Sequence, residues 1–171
     1  MKIMILSDSH SMTKQTLLNF INQHPADYYI HCGDIYMPYS PLEIDNFYNV
    51  RGNNDFADIP KDLTLTIDGL NFFICHGHLF HIDESMYDLE QYALNHKIDV
   101  VCFGHSHNPT CYKKENTLFI NPGSVTFPRG NYPHPTYCIF DTENHEVQFY
   151  DLKENQPCNP FEAKKKESFF K

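Results

Sequence analysis

The chain has 171 residues, enough for a single domain with one hydrophobic core. Hydrophobic residues make up 41% and aromatic residues 15%, which excludes a largely disordered protein. The formal net charge is −9 and the only two arginines are Arg51 and Arg129, so stable binding of nucleic acid or of an anionic membrane is disfavoured.

Apolar, strand-like runs alternate with two runs of helical spacing, the pattern of an α/β protein. The first part of the chain predicts six strands: Met1–Leu6, Asp27–His31, Phe47–Val50, Leu63–Ile67, Asn71–Cys75 and Asp99–Phe103. Apolar residues recur on one face of two predicted helices, Thr13–His24 and Ser85–Lys97. Beyond them, hairpin-like spacing predicts the strands Thr117–Ile120, Thr136–Phe140 and Glu146–Asp151.

These elements predict one domain over residues 1–156. Residues 157–171 hold four lysines against two glutamates, and we expect a basic, solvated and partly frayed tail. No stretch resembles a secretion signal or reaches the roughly 18 apolar residues of a membrane span, so we expect a cytoplasmic protein. Cys32, Cys75 and Cys102 lie in apolar runs and predict reduced core thiols. A homo-oligomer is compatible with this sequence.

Polar clusters follow the predicted strands: SDSH, CGD, RGNND, HGH and GHSH. Open α/β sheets bind ligands beyond the carboxyl ends of their strands, so these clusters should meet at one edge. They contain residue types that bind metals, with Asp8 and His10 spaced to turn to one side of an extended segment. The candidate metal ligands are Asp8, His10, Asp34, Asn53, His76, His105 and His107.

The candidate ligands are imidazoles, carboxylates and one amide, a set that suits Mn²⁺, Fe, Zn²⁺, Ni²⁺ or Co²⁺. Seven candidates exceed the needs of one ion, and a carboxylate such as Asp34 can bridge two ions. We therefore predict two divalent ions, which would also supply the positive charge that so acidic a protein would need if it handled phosphate. His31, inside an apolar strand, is interpreted instead as a hydrogen-bonded core residue.

In their order along the chain, the motifs DSH, GD, GNND, HGH and GHSH resemble those of the calcineurin-like metallophosphoesterase superfamily. The segment NPGSVTFPR, residues 121–129, is similar to one in its small bacterial and archaeal branch of YfcE-like phosphodiesterases. The resemblance implies a four-layer α/β/β/α sandwich of two mixed sheets flanked by helices. It also implies hydrolysis of a phosphate ester by a metal-activated bridging hydroxide, with Mn²⁺ as the working ion.

The resemblance further assigns each ligand to an ion. The first ion would be held by Asp8, His10, Asp34 and His107. The second would be held by Asp34, Asn53, His76 and His105. Asp34 is then the bridge between the two ions.

Four more residues are candidate catalytic groups: Asn54, Asp55, His78 and Arg129. Many superfamily members have GNH followed by an acid, whereas this chain has Asn54 and then Asp55. An amide cannot act as a general acid but can hydrogen-bond a phosphoryl oxygen, so we expect good leaving groups to be favoured. His78 is either a general acid or a support for its neighbours. Arg129 either holds substrate phosphate or satisfies carbonyls of its own loop.

Two functions fit this pattern. The first is a hydrolase of small phosphate esters, with diesters favoured over monoesters. The second is a non-catalytic scaffold on the same fold, as in the retromer-subunit branch, which has lost ligands. All seven ligand positions are filled here, which favours the enzyme. The loops Ile35–Pro41 and Phe56–Asp62 would shape the pocket, and their Tyr36, Tyr39 and Phe56 either stack on a base or simply pack.

Overall fold

The computed structural model describes residues 1–36 and 44–162. Within these ranges the helices are α1, Lys14–Gln23, and α2, Tyr87–Asn95, with one 3₁₀ turn at His78–Phe80. The strands are β1 Lys2–Leu6, β2 Tyr28–His31, β3 Phe47–Asn49, β4 Asp62–Ile67, β5 Leu70–Cys75, β6 Val100–Cys102, β7 Thr110–Lys114, β8 Thr117–Asn121, β9 Thr136–Asp141, β10 Glu146–Asp151 and β11 Gln156–Cys158. No helix in the described ranges is long and apolar enough to cross a membrane.

The strands form two mixed sheets. The first has the order β11-β10-β9-β1-β2-β3, in which β1, β2 and β3 are parallel and the other neighbours antiparallel. The second has the order β4-β5-β6-β8-β7, in which β5, β6 and β8 are parallel. In each sheet the parallel strands therefore end at one common edge, where ligands of such sheets bind.

Strand β1 shows how the sequence builds the layers. Ile3 and Ile5 belong to the core between the two sheets, whereas Met4 and Leu6 pack with Leu17 of α1. All five side chains are fully buried. Successive side chains of a strand point to opposite faces, so a strand covered on both faces reads as a continuous apolar run.

The second sheet repeats this arrangement. Phe72 and Ile74 of β5 face the core between the sheets, whereas Phe73 packs with Leu89 and Ala93 of α2. The layers are therefore α1, the first sheet, the second sheet and α2. This order confirms the predicted four-layer sandwich.

The described residues include two strands that the sequence analysis does not predict. No residue of β7 is buried, so its sequence does not show the alternation of buried apolar and exposed polar side chains that predicts a strand. β11 contains Pro157 and, among the described strands, pairs with β10 alone. It is therefore an edge strand, where proline is tolerated. β11 also crosses residue 156, the expected domain end, and Cys158 still pairs with Phe149. The expected frayed tail falls partly on residues 163–171, which lie outside the described residues.

The cysteines behave as predicted. All six carry free thiols, and Cys32, Cys75 and Cys102 are buried. Burial raises the pKa of these three thiols, which keeps them protonated and unreactive.

Candidate metal centre

The predicted ligands all follow the carboxyl ends of parallel strands. In the first sheet, β1 precedes Asp8 and His10, β2 precedes Asp34, and β3 precedes Asn53. In the second sheet, β5 precedes His76, and β6 precedes His105 and His107. Because the sheets face each other, these strand ends meet at one end of the sandwich.

Four of these residues have an unusual backbone conformation. The φ angles are 53° at Asp8, 54° at Asp34, 68° at His105 and 58° at His107, all in the left-handed region. Such angles are uncommon for residues with a Cβ and cluster at functional sites, where the surrounding structure supports the strain.

The Asp8 carboxylate lies at the centre of the cluster. Its Oδ1 lies 3.2 Å from His107 Nε2, 3.6 Å from His10 Nε2 and 3.8 Å from His76 Nε2. Three imidazole nitrogens from both sheets therefore converge on one carboxylate oxygen.

The remaining oxygens of Asp8 are held by hydrogen bonds. Oδ2 accepts from Ser7 Oγ (2.6 Å) and from the backbone N–H of His105 (3.1 Å). The carbonyl oxygen accepts from Ser124 Oγ (2.7 Å) and Thr126 Oγ1 (2.9 Å). These bonds fix Asp8 and leave Oδ1 free for a ligand.

The Asp34 carboxylate lies beside two of the same histidines. Its Oδ2 is 3.3 Å from His10 Nε2 and 3.4 Å from His76 Nε2. Asn54 donates its backbone N–H to Oδ1 (2.9 Å) and its side-chain amide to Oδ2 (2.8 Å). Burial alone would raise the pKa of Asp34, but His76 and Asn54 lower it to about 2, so the carboxylate is ionised.

Asn53 and His105 extend the cluster on the side of His76. Asn53 Oδ1 lies 3.0 Å from His76 Nε2 and 3.2 Å from His105 Nδ1. Among the described residues, two groups have the spacing of metal ligands: Asp8, His10 and His107, and Asp8, Asp34 and His76. Asp8 belongs to both groups. Asp34 belongs to the second group, and its Oδ2 also lies 3.3 Å from His10 Nε2 of the first group, so each carboxylate contacts residues of both groups.

Backbone carbonyls orient two of the imidazole rings. His76 Nδ1 donates to the carbonyl of Cys32 (2.7 Å) and His107 Nδ1 donates to the carbonyl of Phe127 (2.7 Å). In each neutral ring, Nε2 then carries a lone pair that faces the carboxylates. Lone pairs and carboxylate oxygens repel each other unless a cation lies between them.

Two further observations fit a divalent cation. Among the described residues, Asp8 Oδ1 and His10 Nε2 are buried and find no hydrogen-bond partner, although buried polar atoms are rarely left unpaired. The neighbouring Asp8 carboxylate raises the pKa of His10. Burial alone would lower the pKa of His76, but Asp34 and Asp8 raise it above the usual value. The negative field that raises both pKa values would equally attract a metal ion.

Glycine is required at two positions beside the carboxylates. A Cβ at Gly52 would lie 2.0 Å from Asp34 Oδ1, and a Cβ at Gly104 would lie 2.0 Å from Ser7 Oγ and 2.8 Å from Asp8 Oδ2. All three distances are far below van der Waals contact, so only glycine lets these loops approach the ligands so closely.

Asp55 lies in the same loop but faces backbone groups. Its carboxylate accepts from the N–H groups of Gly52 (2.7 Å), Asp34 (2.9 Å) and Tyr36 (2.8 Å). In the described structure Asp55 thus ties the loop after β2 to the loop after β3, while its neighbour Asn54 contacts the Asp34 carboxylate directly.

His78 and Arg129 lie beside predicted ligands. The His78 ring centroid is 5.3 Å from that of His76 and 6.0 Å from that of His105, and burial together with these rings lowers its pKa. The backbone N–H of Arg129 donates to the carbonyl of His107 (3.0 Å), and its side chain is exposed.

His31 has the predicted role of a core histidine. It is fully buried, with Nε2 2.9 Å from Ser9 Oγ, and Nδ1 accepts from the N–H of Gly33 (3.2 Å). Burial lowers its pKa to about 4, so the ring is neutral at physiological pH.

The sequence analysis misses several residues of the site. Asp83 Oδ2 lies 2.6 Å from His105 Nε2, and no motif marks this aspartate. The sequence analysis also misses Phe127, whose ring centroid lies 5.9 Å from that of His10. The ring centroid of Tyr36 lies 6.4 Å from that of the same histidine. Tyr36 and Phe56 are 55% and 86% exposed. Tyr39 lies outside the described residues.

This fold and this cluster define a two-sheet α/β sandwich with a candidate metal-binding site at one end. The profile of the Calcineurin-like phosphoesterase superfamily domain matches residues 1–145. The chain therefore belongs to the calcineurin-like phosphoesterase superfamily, as its motifs predict.

Two relatives are similar over nearly their whole length. The chain is 35% identical to the probable metallophosphoesterase YsnB of Bacillus subtilis, over 91% of this chain and 94% of the relative. It is 31% identical to the phosphodiesterase MJ0936 of Methanocaldococcus jannaschii, over 86% of this chain and 97% of the relative.

Solved structures share the architecture. A predicted phosphoesterase of Streptococcus pneumoniae TIGR4 superposes with a TM-score of 0.84 at 27% identity, over 92% of each chain. Vacuolar Protein Sorting 29 of Cryptosporidium parvum superposes with a TM-score of 0.72 at 18% identity, over 92% of this chain and 94% of that one. The second likeness shows the fold alone.

Proposed function

We propose that this chain is a metal-dependent phosphodiesterase with a dinuclear site. The observation that carries the proposal is the convergence of three imidazole nitrogens on Asp8 Oδ1, at 3.2, 3.6 and 3.8 Å, with that oxygen left without a hydrogen-bond donor. The name of the relative from M. jannaschii, a phosphodiesterase, supports the preference for diesters.

The ligands divide into two overlapping sets. One ion would be held by Asp8, His10, Asp34 and His107. The other would be held by Asp34, Asn53, His76 and His105. When bound, two divalent ions would polarise the phosphate and activate a water molecule shared between them. Mn²⁺ suits this set because all the ligand atoms are oxygen or nitrogen.

The leaving group receives little help from the chain in this proposal. Asn54 stands where the family resemblance implies a histidine, and both its backbone N–H and its amide donate to Asp34. An amide does not release a proton at physiological pH, so Asn54 holds Asp34 in place instead of protonating the product. His78 contacts two ligand rings, which favours a supporting role. Esters with good leaving groups should therefore react fastest.

Two aromatic rings next to His10 indicate the kind of ester. Tyr36 is 55% exposed and Phe127 is 50% exposed, although both lie beside a predicted metal ligand. Exposed ring faces stack on planar groups such as nucleobases. The proposed substrate is a small phosphodiester that carries an aromatic ring.

The test compares a diester with a monoester of the same leaving group. Protein stripped with a chelator and reloaded with Mn²⁺ should hydrolyse bis(p-nitrophenyl) phosphate faster than p-nitrophenyl phosphate, and chelation should abolish both reactions. His10→Ala should lose at least about 10- to 100-fold in activity, the loss typical of removing a partner behind a ligand, because it removes a ligand itself. The matched control is His145→Asn, because His145 is exposed and its φ of 59° suits asparagine.

Two results would count against the proposal. Faster hydrolysis of the monoester would contradict the diester preference. A loaded protein that hydrolyses neither ester would favour the scaffold alternative, in which the same fold serves partners only.

A further inference from the structure

His105 is oriented differently from the other histidines of the site. Backbone carbonyls hold the Nδ1 atoms of His76 and His107. In His105 the two nitrogens are reversed: Nδ1 faces Asn53 Oδ1 at 3.2 Å, and Nε2 faces Asp83 Oδ2 at 2.6 Å. His105 therefore approaches the cluster through Nδ1, while a carboxylate holds its outer nitrogen.

The Asp83 carboxylate determines where the ring carries its proton. A carboxylate oxygen accepts a hydrogen bond from a ring N–H, so the 2.6 Å contact of Asp83 Oδ2 places the proton on Nε2. In the neutral ring Nδ1 then carries the lone pair, which is the form a metal ion binds. The opposite tautomer would direct an N–H into the cluster and exclude a cation there.

The position of Asp83 suits this task. It lies in the turn after the 3₁₀ segment His78–Phe80, and the N–H groups of Glu84 (2.9 Å) and Ser85 (3.2 Å) both donate to the carbonyl of His81. This turn follows β5, whereas His105 follows β6. The contact therefore joins the two loops by which the second sheet enters the site.

We propose that Asp83 is a positioning residue that fixes the tautomer and orientation of His105 so that Nδ1 binds the second ion. The inference rests on the proposed dinuclear site for the identity of the ligand, but not for the tautomer. Removing a residue that hydrogen-bonds to the outer nitrogen of a metal-binding histidine commonly lowers metal affinity by about 10- to 100-fold.

The first experiment reads the tautomer without any metal. A ¹H–¹⁵N spectrum of the His105 ring in stripped protein at about pH 8, where an ordinary imidazole is neutral, should show the proton on Nε2. Asp83→Ala should lose this single tautomer. A wild-type ring protonated on Nδ1, or an unchanged spectrum in Asp83→Ala, would overturn the inference.

The second experiment measures metal affinity by calorimetric titration with Mn²⁺. Asp83→Ala should weaken one of the two ions by about 10- to 100-fold, and Asp83→Asn should recover part of the loss because its amide oxygen still accepts from Nε2. Glu84→Ala is the matched control, since it removes the same charge from the neighbouring exposed residue. Equal losses of metal affinity in Asp83→Ala and Glu84→Ala would mean that the effect comes from the lost charge and not from the hydrogen bond to His105, and would overturn the inference.

The two experiments separate failure of the inference from failure of the proposed function. Wild-type protein that binds fewer than two ions contradicts the dinuclear proposal and overturns the ligand role of His105 with it. If wild type and Asp83→Ala both bind two ions with equal affinity, the dinuclear proposal is retained and only the role of Asp83 is overturned.

Discussion

At the scale of the residue, Asp34 differs from the other ligands in its surroundings. Oδ2 lies within 3.4 Å of both His10 and His76, which belong to opposite sheets. Both of its oxygens accept hydrogen bonds from Asn54, and these bonds hold the carboxylate between the two histidines. A carboxylate in this place can serve two ions and offset the repulsion between them.

Asp34→Asn should therefore cost more activity than His107→Ala, by roughly tenfold, because it replaces a charged carboxylate shared by both ions with an amide that offers one neutral oxygen. The measurement is kcat/KM on bis(p-nitrophenyl) phosphate with the Mn²⁺ content of each variant. Equal losses, or two ions retained in Asp34→Asn, would contradict the bridging role.

Arg129 offers a second test at this scale. The Arg129 side chain is exposed, and the backbone N–H of Arg129 donates to the carbonyl of His107. We therefore propose that the guanidinium reaches the substrate phosphate from the rim of the site. Arg129→Lys should lower kcat/KM by about tenfold while metal content and melting temperature stay unchanged, because an ammonium cannot reproduce a two-point contact. Full activity, or a joint loss of activity and stability, would make Arg129 structural.

Single residues also show what sequence patterns can predict. His31 was recognised as a core residue because it lies within an apolar strand, a local feature. Asp83 was not recognised, because its partner His105 is 22 residues away and only the packing of two loops brings them together. Contacts between loops leave no periodic signal in a sequence.

At the scale of the element, each loop of the site follows a parallel strand, and close approaches at Gly52 and Gly104 hold two of these loops. Gly104 follows β6 and lies against Ser7 and Asp8 of the loop after β1. This contact joins the two sheets at the metal centre. Any side chain there must displace the most buried ligand of the site.

Gly104→Ala should therefore lower the free energy of unfolding by about 1–3 kcal/mol and reduce metal binding, since its Cβ would lie 2.8 Å from Asp8 Oδ2. The control is Gly69→Ala in the turn between β4 and β5. Its φ of 79° makes alanine unfavourable there by about 1 kcal/mol, but no atom lies within 4 Å of the added Cβ. Denaturant unfolding and metal analysis of both variants check this. Normal metal binding by Gly104→Ala would contradict the requirement for glycine.

Elements were predictable where burial imposes a pattern. β1 and β5 are covered on both faces and read as apolar runs, and both were found with bounds within one residue of the prediction. β7 and β11 lie at sheet edges with little buried surface, so their pairing follows from the neighbouring strands and not from their own residues.

At the scale of the whole molecule, the candidate metal centre belongs to neither sheet alone. The first sheet supplies Asp8, His10, Asp34 and Asn53. The second supplies His76, His105 and His107. The apolar core between the sheets therefore sets the distance between the two ligand sets. Because the site forms only in the folded chain, bound ions should also stabilise the fold.

The most direct test of the dinuclear proposal is a count of bound ions. Protein loaded with Mn²⁺, freed of excess metal and analysed for its elements should contain two ions per chain, because seven oxygen and nitrogen ligands in two overlapping sets exceed the needs of one ion. One ion per chain, or none, would contradict the dinuclear centre on which the proposed chemistry depends.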